Sequence, residues 1–171
     1  DPKPGELVLD LCAAPGGKSA QLSLLMKGRG TLVVNDLSFA RLSALRATQE
    51  RLGLTNMVLC ARNGERLLAN HPPCFDKVLV DAPCSCEGTI RKKGRWSFTG
   101  ERGDFRAVLH ATQARLLLNA LKLTKEGGRV VYSTCTLDPL ENEAVVEEAL
   151  KRFEAEEGAR AAERASVERS A

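Results

Sequence analysis

Residues 6–19, Glu-Leu-Val-Leu-Asp-Leu-Cys-Ala-Ala-Pro-Gly-Gly-Lys-Ser, decide the fold of this chain. The apolar run 6–11 is too short for a helix and reads as a β-strand buried on both faces. A turn of small residues follows it. Apolar positions three and four apart then begin at Ser19 and predict a helix over 19–27. The same alternation continues along the chain. Short apolar runs at 31–35, 57–61, 77–81 and 129–133 predict further buried strands, and 38–52 and 108–124 predict helices. In 38–52 the apolar positions are Leu42, Leu45 and Leu52, Ser38 suits the N-cap and Gly53 the stop. Strand–helix alternation of this kind implies right-handed crossovers and an α/β, mostly parallel, doubly wound sheet with helices on both faces.

Length and composition set the outer limits. At 171 residues the chain is long enough for one domain with a real core. Its apolar runs, the longest being 7–11 and 130–132, are far too short to span a bilayer, and no secretory signal is expected ahead of the first strand. Of the six cysteines, Cys12, Cys60, Cys84 and Cys135 lie in or at the ends of apolar strands, so reduced thiols in an intracellular compartment are expected rather than a disulfide framework. A helix is expected from Leu140 to about residue 153, which closes a core of residues 1–153. Residues 154–171, rich in Ala, Glu and Arg, have few large side chains to bury and are expected to form a frayed helix or a disordered tail.

The turn after the first strand is built for a ligand or for tight packing. Ala13, Ala14, Gly16 and Gly17 would let a ligand approach the backbone, and the next helix aims its first N–H groups at the same place. In an open α/β sheet such a turn faces the crevice at the strand ends. The spacing matches neither GxGxxG nor GxxxxGK[ST], which disfavours a dinucleotide or a nucleoside triphosphate. Asp36 ends the second strand, where this architecture places an acid against ribose hydroxyls. Asn63, after the third strand, can accept a hydrogen bond from an adenine amino group or can simply form a turn. Between Arg91 and Arg106 six basic residues face two acids. This is either a solvated loop or, beside a suitable pocket, a surface for phosphate.

Three segments occur in order at strand ends: DLCAAPGGKS from Asp10, DAPCSCEGTIRK from Asp81 and YSTCTLDPLENE from Tyr132. In these the chain resembles the NOL1/NOP2/Sun family of RNA cytosine-5 methyltransferases, over roughly residues 10–150. The resemblance implies a Rossmann-like methyltransferase fold lacking its terminal strands, with S-adenosyl-L-methionine as methyl donor. Carried over by position, Cys12, Ala13, Ala14, Pro15, Gly16, Gly17 and Lys18 form the cofactor turn, Asp36 holds the ribose, Asn63 lies near adenine and Arg41 is a weaker contact. Asp81 lies between the methionine end and the target base, and Lys18 reaches towards the base. The family's nucleophile, which adds to carbon 6 of cytosine, corresponds to Cys135. Cys84 corresponds to the cysteine that assists release.

The resemblance also gives the basic run a purpose. Arg91, Lys92, Lys93, Arg95 and Trp96 would border the base pocket and bind RNA, ribosomal or transfer, with Trp96 either stacking on a base or anchoring its loop. Two positions depart from the family. Asn63 replaces the usual acid, and Cys86 stands where a small glycine is common. Cys84 and Cys86 are too few ligands for a metal without a matching pair, and His71 and His110 have no useful spacing, so no metal is expected. The residues favour RNA methylation connected with rRNA processing. The alternative is a weak or inactive module of the same fold that binds RNA or assists ribosome assembly.

Overall fold

The computed structural model describes residues 1–86, 88 and 103–168. The expected RNA-binding residues Arg91, Lys92, Lys93, Arg95 and Trp96 lie outside the described residues. In chain order the elements are β1 (Leu7–Asp10), α1 (Gly17–Leu25), β2 (Thr31–Asn35), α2 (Phe39–Leu52), β3 (Met57–Cys60), a short 3-10 turn (Gly64–Arg66), β4 (Phe75–Asp81), α3 (Gly103–Leu123), β5 (Thr124–Ser133) and α4 (Glu143–Glu168). The sheet is parallel throughout, in the order β3-β2-β1-β4-β5. Strand order reverses between β1 and β4, and the loops leaving these two strands diverge to open a crevice at their carboxyl ends.

Alternation along each strand divides the core into two layers. On one face Val8, Leu32 and Val34 pack with Ala20 of α1 and with Leu42 and Leu45 of α2. On the other, Leu9, Phe75 and Val80 pack with Ala114 and Leu117 of α3 and with Val145 and Ala149 of α4. Burying a side chain the size of Leu9 or Leu32 contributes about 2–3 kcal/mol, so each layer holds its helices firmly.

Local signals set the ends of α2. The Ser38 hydroxyl accepts from the Arg41 N–H at 3.4 Å, and Gly53 closes the helix at φ +62°. Two expectations need correction. The outer strands are not buried on both faces: Val58 in β3 is 53% exposed and Val131 in β5 is 46% exposed, because the strand order leaves both at the sheet edges. β5 begins at Thr124 rather than at 129, since Lys125, Glu126 and two glycines extend the edge through a register shift opposite Phe75 and Lys77. Helix α4 runs through residue 168, and Lys122 of α3 pairs with its Glu156 at 2.5 Å.

Candidate active site

The first loop is braced from below. Asp10, at the end of β1, is buried and accepts from the Ser19 hydroxyl at 2.7 Å, while its Oδ1 has no hydrogen-bond partner. Burial pushes the Asp10 carboxyl up to about 6, helped by the Asp81 charge and opposed by the Ser19 hydrogen bond. Cys12 is pushed up to about 12, first by burial and then by the nearby carboxylates of Asp10 and Asp36, so it stays a neutral thiol. The folded chain keeps its proton on Asp10 between pH 3.8 and about 6, where the unfolded chain has lost it. Stability therefore falls as pH rises through that window, by roughly 3 kcal/mol in all. Asp10→Asn keeps an acceptor for Ser19 and cannot ionise. Urea unfolding is expected to find it more stable than the parent at pH 7, with the gap closing towards pH 4. An equal gap at both values would show that Asp10 does not titrate as described.

Above Asp10 the backbone of the loop is tied down. The Ala13 N–H donates to the Asn35 carbonyl at 2.7 Å, and the Ala14 N–H donates to Asp36 Oδ2 at 3.2 Å. Arg41 Nη2 donates to the Ala14 carbonyl at 2.6 Å. Gly16 sits at φ +104°, and a Cβ there would come 2.7 Å from Leu45 Cγ, so glycine is required both for conformation and for space. Helix α1 then starts without a side-chain cap, which leaves its first N–H groups directed at the crevice. A Cβ at Gly17 would meet nothing within 4 Å, so the mouth of the loop is open.

Asp36 lies at the end of β2 as expected, but its carboxylate is 3% exposed. It accepts from the N–H groups of Ala14 and Ser38 and pairs with Arg41 at 3.3 Å. Asp36 thus shapes the loop before it can touch any ligand. The Asn63 Oδ1 accepts from the Glu65 N–H at 2.9 Å and caps the short 3-10 turn.

The second half of the site hangs from β4 and β5. Asp81 Oδ1 pairs with Lys18 Nζ at 2.6 Å and accepts from the Ser133 hydroxyl at 2.8 Å, which joins the first loop to the ends of both strands. Beyond Asp81 the Cys84 and Cys135 sulfurs lie 3.1 Å apart, and the Cys135 N–H donates to Cys84 Sγ at 3.3 Å. Cys86 Sγ is 4.0 Å from Cys84 Sγ. Cys135 is pushed up to about 12, first by loss of solvation at the sulfur and then by hydrogen bonding with Cys84 and Cys86. At rest it is a thiol, and its proton must leave when the sulfur bonds to carbon.

Several residues that position this pair do not stand out in the sequence. Glu141, 1% exposed, accepts from the Ser85 N–H at 3.0 Å and from Gln113 Nε2 at 2.9 Å; Gln113 Nε2 also donates to the Pro83 carbonyl at 2.8 Å. Together they clamp the turn on either side of Cys84. The Ser85 hydroxyl donates to Thr136 Oγ1 at 3.0 Å, which fastens the two cysteine loops to each other. The Gly88 N–H donates to the Cys135 carbonyl at 2.9 Å, and a Cβ on Gly88 would come 2.7 Å from that oxygen. Asn35 holds the ends of the first three strands through the carbonyls of Leu11 and Arg62 and the Arg62 N–H, each at 3.0 Å. Glu141 falls within the quoted YSTCTLDPLENE segment, the one signal that pointed towards it.

The family described as 16S rRNA methyltransferase RsmB/F matches residues 1–168. The chain is 42% identical over 156 residues to a tRNA (cytosine(49)-C(5))-methyltransferase of Pyrococcus abyssi, covering 91% of this chain and 49% of that protein. It is 41% identical over 155 residues to the 26S rRNA (cytosine-C(5))-methyltransferase nsun-1 of Caenorhabditis elegans, covering 88% of this chain and 23% of that one. Among solved structures, NSun6 from Pyrococcus horikoshii with SFG superposes with a TM-score of 0.79 at 32% identity, over 88% of this chain and 38% of that one. A methyltransferase homolog protein from the same organism superposes with a TM-score of 0.74 at 40% identity, over 88% and 46%. The chain spans half or less of the length of each of these relatives.

Proposed function

The chain belongs to the RsmB/F family of 16S rRNA methyltransferases, and from that premise we propose that it carries the catalytic core of an S-adenosylmethionine-dependent methyltransferase acting on carbon 5 of cytosine in ribosomal or transfer RNA. The observation that supports this reading best is the pair of sulfurs, Cys84 and Cys135, 3.1 Å apart beside the Lys18–Asp81 ion pair. Two relatives of about 40% identity are RNA cytosine-C5 methyltransferases by name. A structural neighbour at 32% identity was solved with SFG, an S-adenosylmethionine analogue.

The residues present fit such a donor. A glycine-lined loop lies open at Gly17, uncapped N–H groups head α1, and Asp10 Oδ1 is buried without a partner. Cys12 to Lys18 would hold the donor with Asp36, Arg41 and Asn63. When bound, S-adenosylmethionine supplies an electrophilic methyl group on a sulfonium. The protein's task is to make carbon 5 of cytosine nucleophilic. Cys135 gives up its proton and bonds to carbon 6, which turns the ring into an enamine whose carbon 5 can attack. Asp81, held by Lys18 and Ser133, would accept from the exocyclic amine and N3, favouring the protonated, electron-poor ring. After transfer, Cys84 assists removal of the carbon 5 proton as the bond between Cys135 and carbon 6 breaks, which restores aromaticity and frees Cys135. The basic segment that includes Arg91, Lys92, Lys93, Arg95 and Trp96 would hold the RNA with its target base unstacked. A reducing intracellular setting suits this chemistry, and none of the six cysteines is disulfide-bonded. Among the described residues no helix is long and apolar enough to cross a membrane.

The test is transfer of labelled methyl groups from S-adenosylmethionine to unmodified rRNA and tRNA transcripts, followed by nucleoside analysis. Label in 5-methylcytidine is expected, with a loss of at least about 10³-fold in Cys135→Ala, the scale set by removing a covalent nucleophile. RNA binding without transfer would favour the inactive module. Transfer undiminished in Cys135→Ala would overturn the assignment.

A further inference from the structure

The third thiol has no part in the reaction described above. Cys86 is held at φ +61°, a backbone conformation that glycine adopts without strain and other residues rarely do. Its side chain does not turn to solvent. Cys86 Sγ donates to the Cys84 carbonyl at 3.4 Å and lies 4.0 Å from Cys84 Sγ. The sulfurs of Cys84, Cys86 and Cys135 all fall within 4.8 Å of one another, two of them 3.1 Å apart. These separations bracket the sulfur–sulfur distance of about 3.8 Å that follows from Zn–S bonds of about 2.3 Å at tetrahedral angles. A sequence count of two ligands, Cys84 and Cys86, missed this because the third arrives from β5.

We propose that Cys84, Cys86 and Cys135 form a site for a thiophilic divalent cation of the zinc class, and that occupancy arrests the enzyme by sequestering its nucleophile. Three thiolates from two adjacent strand ends would surround the ion, with the fourth position left to solvent. Thiolate sulfur is the donor type that selects zinc over magnesium or calcium, so the site would ignore the hard cations that accompany RNA. The two loops need no large movement, since the Glu141–Gln113 clamp and the Gly88–Cys135 hydrogen bond already hold the sulfurs together. Arrest would be reversible by a chelator. It follows from geometry alone: a sulfur bonded to the ion cannot add to carbon 6, and the ion fills the space in front of it.

Only the arrest rests on the methylation reading; metal binding stands apart from it, and the experiment separates the two. The reduced protein is titrated with zinc against a chromophoric chelator, and with cobalt to record thiolate-to-metal charge-transfer absorption. One ion per chain is expected, with a charge-transfer intensity appropriate to three thiolates. Cys86→Gly suits the backbone at this position. It is expected to fold and to keep methylating RNA, but to bind zinc at least about 100-fold more weakly and to escape zinc inhibition. Parental zinc affinity in Cys86→Gly would overturn the proposal. So would a parent that binds no more tightly than the triple variant Cys84→Ala/Cys86→Gly/Cys135→Ala. A protein that binds cobalt through three thiolates yet methylates no RNA would leave the metal site standing and remove the proposed function.

Discussion

Replacing Cys84 with alanine is expected to leave RNA covalently attached to the protein after turnover, a complex that survives denaturation and runs as a slow band on a gel. The expectation comes from the proposed division of labour between Cys135 and Cys84, whose sulfurs lie 3.1 Å apart. If Cys135 forms the bond to carbon 6 and Cys84 only helps to break it, removing Cys84 lets the adduct form and stops it from decaying. Loss of a positioned proton acceptor slows a step by about 10²–10⁴-fold, enough to make release far slower than formation. Cys135→Ala and the double variant Cys84→Ala/Cys135→Ala should show no adduct. Mass spectrometry of the trapped species should place the RNA on Cys135. Adduct in the double variant would mean that another residue attacks.

Glu141→Ala is expected to cost roughly 2–3 kcal/mol of stability, the scale of removing a buried acceptor that serves two N–H donors. The carboxylate is 1% exposed and accepts from the Ser85 N–H and from Gln113 Nε2. Truncation leaves the Ser85 N–H without its acceptor and takes one of two acceptors from Gln113 Nε2, which keeps the Pro83 carbonyl. For a chain of this size the loss corresponds to a drop in Tm of about 4–12 °C. Glu141→Gln retains one amide oxygen as acceptor and should lose much less. Denaturant unfolding checks both variants, and a change below about 1 kcal/mol in Glu141→Ala would show that the Pro83–Ser85 turn holds itself. The effect should extend to chemistry, because this turn carries Cys84. Glu141→Gln, assayed well below its melting temperature, should lower kcat more than it raises KM.

The fold was legible wherever a signal is local. The period of the apolar positions in 38–52, with Ser38 before them and Gly53 after, located α2 without reference to the rest of the chain. The beginning of β5 was not legible, because Lys125, Glu126, Gly127 and Gly128 are poor strand formers carried in a register shift between the paired Thr124 and Arg129. The site divides in the same way. The resemblance named Cys84 and Cys135, and the fold brings their sulfurs together at the ends of neighbouring strands. Asn63 was read both as an adenine contact and as a turn former, and only the second use is visible in its hydrogen bonds. Asp10 entered the sequence reading only as the first residue of DLCAAPGGKS, yet it is buried beneath the first loop. The links from Asn35 to Arg62 and from Ser85 to Glu141 escape sequence reasoning for one reason: each joins residues far apart in the chain through a bond that only the finished sheet creates.

The ladder between β1 and β4 runs through the pairs Val8–Lys77, Leu9–Val78 and Asp10–Leu79. The glycine loop is suspended from β1, and the paired sulfurs from β4 and its outer neighbour. For the proposed transfer the ladder therefore works as a ruler, setting the gap that a methyl group has to cross. A slip of one residue would change that gap by about 3.3 Å, more than any in-line displacement tolerates. Substitutions at Leu9 or Val78, touching neither substrate nor donor, would then act by spoiling the calibration of the instrument.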